Sequence, residues 1–167
     1  MAFVLASMNN LQVCAADIST AFLYGKTREK VHIKAGKEFG EHAGKTLLVD
    51  KGICGLRTSA ARFHEALSEK LRSMGFRPSK ADFDLWIRPR GDHCEYLATC
   101  VDDILVFSKD PMPIIKEIRN TFVSKGVGKP EYYLGSNFHT VAEKDVDNLQ
   151  EAGNDDPQHH LSEKWLK

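Results

Sequence analysis

The sequence predicts an α+β domain: an antiparallel sheet with helices packed on one face. Three observations lead there. The runs "DFDLWIRP", "EYLATCV" and "ILVFS" are apolar, rich in β-branched residues and parted by very short polar turns, which is the pattern of an antiparallel meander. Two other segments, from Ser59 to Met74 and after Asp110, place their apolar residues at helical spacing instead. Strands and helices also fail to alternate regularly, which argues against a parallel βαβ arrangement.

Taken in order, "LQVCAADIS" alternates weakly into a strand ending at Asp17, and "TAFLYG" reads as a short helical turn closed by Gly25. "EKVHIKA" and "KTLLVDKGI" are two further strands, joined by the Gly-rich, charged loop "GKEFGEHAGK". Ala60, Phe63, Leu67, Leu71 and Met74 then form a helical stripe, with Thr58 or Ser59 as its cap and Gly75 as its stop. The three-stranded meander follows. Asp110 and Pro111 open a second helix whose buried stripe is Ile114, Ile115, Ile118 and Phe122, ahead of Gly126. "EYYLGSNF" reads as one more strand. Residues 1–140 are therefore expected to form the folded domain, and residues 141–167 an acidic, disordered tail, because too few periodic apolar residues are present there to offset the entropy of ordering.

A chain of 167 residues with 42% hydrophobic and 28% charged residues has the composition of one ordinary globular domain. Its four cysteines make no CxxC pair and no ligand-like spacing with the seven histidines, which argues against zinc. Cys14 and Cys100 lie in strand-like runs and read as small buried hydrophobes. The absence of a secretory segment and of any long apolar stretch predicts an intracellular chain, cytoplasmic or nuclear, with no membrane partner. Net charge is zero, yet residues 26–80 hold thirteen lysines and arginines against six acids, a net +7, while residues 141–167 carry −4. A basic stretch is ordinarily a solvated face. Beside a carboxylate cluster it also suits a phosphate-bearing partner.

The carboxylates are in "TCVDDILVF", where Asp102 and Asp103 stand side by side between strand-like runs. Aspartates are common at hairpin tips, so turn chemistry alone is one reading. Against it, the turn holds no Gly or Asn, and adjacent carboxylates repel unless protonated or offset by a cation. If Asp17, at its own strand end, meets that turn at one edge, the three carboxylates would suit Mg²⁺, which takes oxygen ligands and keeps substrate phosphates. Two such ions about 3.5–4 Å apart hold the attacking and leaving oxygens of a phosphoryl transfer. A response-regulator receiver also combines an acidic pair with a lone Asp. Its pair comes early and its lone Asp late, the reverse of this order.

Four blocks of the chain resemble the reverse transcriptase of copia-type LTR retrotransposons. "ADISTAFLYG" is similar to that family's Asp-x-x-x-Ala-Phe-Leu-x-Gly block, and "GICGLRTSAARFHEAL" to its Tyr-Gly-Leu-Lys-Gln-Ala-Pro-Arg-x-Trp block. "CVDDILVFS" is similar to Tyr-Val-Asp-Asp-Ile-Leu, and "GKPEYYLGSNF" to a block ending in Leu-Gly. The likeness runs from about Leu11 to Phe138, in family order and spacing. It departs at Thr58, Ala60 and Phe63, which replace the family's Gln, Pro and Trp, and at Cys100, which stands where an aromatic is usual.

The resemblance implies a polymerase palm-like antiparallel sheet, with fingers, thumb and ribonuclease H segments expected to be largely missing. It further implies RNA-directed DNA polymerase activity, with two Mg²⁺ (or Mn²⁺) ions held by the catalytic Asp17, Asp102 and Asp103. Phe22 would pack under the incoming sugar and exclude a 2′-hydroxyl, though a plain core role also fits an aromatic beside a turn. Thr58 would lie near the incoming nucleotide. The partners implied are an RNA or DNA template-primer and deoxynucleoside triphosphates; nothing in the sequence fixes the oligomeric state. The alternative is a non-catalytic, degenerate remnant that keeps the fold with at most weak nucleic-acid binding.

Overall fold

The computed structural model describes residues 2–130, 132–133 and 136–137. In chain order its elements are α1 (Ala2–Met8), β1 (Gln12–Ile18), β2 (Lys26–Lys34), β3 (Thr46–Lys51), α2 (Ser59–Ser73), β4 (Arg77–Pro78), β5 (Leu85–Arg90), β6 (His93–Cys100), β7 (Asp103–Ser108), α3 (Met112–Arg119), β8 (Ser124–Gly128), β9 (Tyr132–Tyr133) and β10 (Ser136–Asn137). The described residues also include a 3-10 turn at Ala21–Tyr24 and 3-10 structure at Lys37–His42 that is broken by a kink at Gly40. Six strands form one sheet in the order β4-β5-β6-β7-β1-β8, with every pairing antiparallel. Among the described residues β2 and β3 pair only with each other, as do β9 and β10.

Period-two alternation gives the sheet two different faces. Cys14, Ala16 and Ile18 of β1, with Leu97, Ile104 and Val106, lie against Phe63, Leu67 and Leu71 of α2 and Ile114, Ile115 and Ile118 of α3. Each fully buried aliphatic or aromatic side chain there stabilises the fold by about 1.5–3 kcal/mol relative to exposure. On the opposite face Leu105, Phe107, Tyr96 and Leu85 meet Ala6 of α1, and the Phe3 ring stands edge-on to Phe107 at 5.1 Å. The two longer helices therefore share one face as expected, but α1 packs on the other. Seven residues are too few to show a helical period, so the sequence did not mark α1.

The end of α2 follows from its glycine. Gly75 takes φ +86°, its N–H bonds the Arg72 carbonyl at 3.0 Å, and the Phe76 N–H bonds the Leu71 carbonyl at 3.0 Å. This is the paired capping of a Schellman motif, with Phe76 and Leu71 both buried beside it. Just beyond, Arg88 Nε donates to Glu95 Oε2 at 2.7 Å and Arg88 Nη1 to the Met74 carbonyl at 2.8 Å. Ser108 donates to the other Glu95 oxygen at 2.8 Å, so β5, β6 and β7 are tied to the end of α2 through one buried carboxylate.

Several expectations need correction. At the start of α2, Thr58 occupies the cap position without a capping bond, and Ser59 instead donates to the Ile53 carbonyl at 2.8 Å. The loop between β2 and β3 contains a 3-10 turn. "EYYLGSNF" is not one strand: of its described residues, Tyr132–Tyr133 and Ser136–Asn137 pair antiparallel with each other as β9 and β10. β4 and β8 went unmarked, because two residues show no alternation and "SKGVG" is too polar and glycine-rich to read as a strand. The expected tail, residues 141–167, lies outside the described residues. Among those described, no helix is long and apolar enough to cross a membrane.

Candidate active site

Cys100 pairs with Asp103, so β6 and β7 are joined by only two residues, Val101 and Asp102. Of these only Val101 has positive φ, +53°, the pattern of a type II′ hairpin turn. A β-branched residue in that conformation is a genuine outlier, and such strain persists only where surrounding structure enforces it. Here the Ile18 N–H donates to the Asp102 carbonyl at 2.7 Å, pinning the tip to the end of β1. Asp102 is left exposed and Asp103 half-buried.

β1 lies directly beside β7, with Asp17 opposite Asp103. On its other side Asp17 faces Lys125 of β8. Residues paired in this way share a face, so Cys100, Asp103, Asp17 and Lys125 form a row across four strands on the face that carries α1. The sheet thus gathers the three expected aspartates at one end of two inner strands, rather than at an edge strand. Sequence reasoning missed Lys125, because it lies in the unmarked β8.

Electrostatics follow from this row. Burial, then the charges of Asp102 and Asp17, push the Asp103 carboxyl above the usual aspartate range. The Cys100 thiol is likewise pushed up, by burial and then by Asp103, Asp84 and Asp102. Lys125 Nζ stands 3.5 Å from Asp17 Oδ1. Among the described residues no three His, Cys, Asp or Glu side chains form a ready-made metal cage. The donor set is nevertheless the one hard divalent cations take: carboxylate oxygens, in a cluster whose Asp103 is destabilised when charged.

Phe22 and Thr58 are positioned by the start of α2. Phe22 is half-buried on the first 3-10 turn and packs against the core. That turn ends at Gly25, where a Cβ would stand 2.7 Å from Arg62 Cβ; at Gly52 a Cβ would stand 2.7 Å from the Phe22 carbonyl oxygen. Both glycines are therefore set by close approach rather than by backbone conformation. The Thr58 hydroxyl is buried and has no hydrogen-bond partner among the described residues, beside an open groove lined by Glu29, Gly55, Leu56 and Arg57. A second cavity, of about 270 Å³, lies between α2 and the aspartate turn, lined by His64, Asp84, Thr99 and Val101 among others.

Residues 1–149 match the profile of the family described as "Reverse transcriptase (RNA-dependent DNA polymerase)". The chain belongs to the reverse transcriptase family. Its curated relatives place it with the copia-type retrotransposon enzymes. It is 26% identical over 135 residues to the Ty5-1 transposon protein of Saccharomyces cerevisiae, covering 78% of this chain and 44% of that relative. It is 27% identical over 124 residues to the retrovirus-related Pol polyprotein of transposon RE1 from Arabidopsis thaliana, and 26% identical over 138 residues to that of transposon TNT 1-94 from Nicotiana tabacum. These alignments cover 71% and 78% of this chain, but only 8% and 10% of the polyproteins. This reverse transcriptase chain thus spans less than half of the relatives it matches.

Proposed function

We propose that the six-stranded sheet is a polymerase palm, and that with the rest of its polyprotein it extends a primer on an RNA or DNA template. The reaction is attack of the primer 3′-hydroxyl on a deoxynucleoside triphosphate with release of pyrophosphate. The observation that carries this reading is the register that sets Asp17 opposite Asp103, beside a strained turn presenting Asp102. Asp17, Asp102 and Asp103 would hold Mg²⁺ or Mn²⁺. Bound there, the ions supply neutralisation of developing phosphoryl charge and activation of the attacking oxygen. The chain's own residues do the rest. Phe22 limits the space below the sugar, and Thr58 lies beside the nucleotide through the groove that it lines. The basic segment 26–80 faces the phosphates of the template-primer.

A non-catalytic remnant is the second reading, favoured by Cys100, which cannot reproduce the packing of the family's aromatic at that place. Thermal melts of the wild type and Asp102→Asn, with and without millimolar Mn²⁺, test the metal site. Wild type is expected to gain stability with metal, by preferential binding to the folded state, and Asp102→Asn to lose most of that gain while being slightly more stable without metal. If both proteins respond alike, the three aspartates do not act together on a cation and the remnant reading stands. Primer extension by the chain with Mg²⁺ or Mn²⁺ separates activity from binding.

A further inference from the structure

The position of Lys125 depends on a break in the ladder between β1 and β8. Ala15 faces Gly128, but two residues on, Asp17 faces Lys125 where an unbroken register would put Gly126. The extra residue is therefore in β8, where Gly126 takes φ +60°, a conformation natural to glycine in a bulge and strained for other residues. Without the bulge Lys125 would face Ile18 and turn its side chain to the α2 and α3 face, since a one-residue slip inverts every side chain. With it, the ammonium reaches Asp17 at 3.5 Å. The β8 strand is held at that end by two further bonds, Ser19 N–H to the Val123 carbonyl and Val123 N–H to the Tyr24 hydroxyl, each 2.8 Å.

The geometry points to Lys125 as the built-in counter-cation of the acidic row: it balances Asp17 in the metal-free chain, and a divalent ion at the aspartates must displace it. One lysine thereby sets how strongly this site takes metal. The second half of this inference rests on the metal reading proposed above; the first half does not. At about 4 Å in water, one unit charge changes the energy of another by roughly a factor of five in an equilibrium constant, so removing the ammonium should tighten divalent binding by about that factor.

The test uses Lys125→Met, which keeps the aliphatic stem, and Lys125→Arg, which keeps the charge. The half-saturating Mn²⁺ concentration, read from water-proton relaxation, is expected to fall on the order of fivefold in Lys125→Met and to stay near wild type in Lys125→Arg. An unchanged value in Lys125→Met, when wild type does bind Mn²⁺, overturns the inference. If wild type binds no Mn²⁺, the metal reading has failed, and a metal-free double-mutant cycle decides the counter-cation role instead. Lys125 is largely exposed, so a coupling of a few-fold in the unfolding constant with Asp17→Asn, shrinking at high salt, supports the role. Strict additivity of the two substitutions overturns it.

Discussion

Replacing Gly25 with Ala tests whether the turn that carries Phe22 is fixed by contact with α2. The backbone at Gly25, φ −89° and ψ 128°, is open to any residue, so the substitution carries no conformational penalty. The added Cβ would stand 2.7 Å from Arg62 Cβ, 2.8 Å from the Arg62 carbonyl carbon and 2.8 Å from the Phe63 nitrogen. Two of these atoms are helix backbone and cannot rotate aside, so the turn and the helix must part by several tenths of an ångström. Overpacking of this kind costs about 1–3 kcal/mol, while Ala in place of Gly returns about 0.4–1 kcal/mol by restricting the unfolded chain. The net loss is about 1–2 kcal/mol, a fall in Tm of about 2–8 °C for a domain of this size. Thermal denaturation followed by circular dichroism reads it, with Gly128→Ala as the control, because among the described residues nothing lies within 4 Å of a Cβ there. If Gly25→Ala melts with or above wild type, or if both variants shift alike, close approach is not why glycine occupies this place.

Two further outcomes are expected. Val101→Gly should stabilise the chain by about 1 kcal/mol in a denaturant titration, since relieving the φ of +53° returns about 1–3 kcal/mol and the flexibility of glycine takes back about 0.5–1; no gain would mean that the turn is unstrained. At Glu95, burial opposes ionisation, but hydrogen bonds from Arg88 and Ser108 and the charges of Arg88 and Arg90 hold the carboxyl below its ordinary value of 4.5. A depressed carboxylate stabilises the fold above that value and loses its contribution as pH falls through the depressed one, so the window lies below pH 4.5. Glu95→Gln should flatten the acid limb of stability there and cost about 3 kcal/mol at neutral pH, because the Arg88 guanidinium stays buried without its partner. An acid limb identical to wild type would show that the pair does not carry this linkage.

Much of this fold is legible along the chain. Helical spacing and a terminal glycine marked α2, strict apolar runs marked the β5-β6-β7 meander, and the pairing of Asp102 with Asp103 marked a place where repulsion needs a reason. These signals are local, written in residues a few positions apart. What tertiary structure decided is whatever depends on which strands become neighbours. That β1 inserts between β7 and β8, bringing Asp17 opposite Asp103, follows from burial of one face under α2 and α3, not from any property of Asp17. Lys125 enters the row only because Gly126 permits a bulge, and that bulge has meaning only against the partner strand. Gly25 reads in the sequence as the stop of a helical turn and Gly52 as part of a strand run, yet both prove to be points where backbone meets backbone. A close approach between segments distant along the chain leaves no period and no cap in the sequence, so only the packed molecule reveals it.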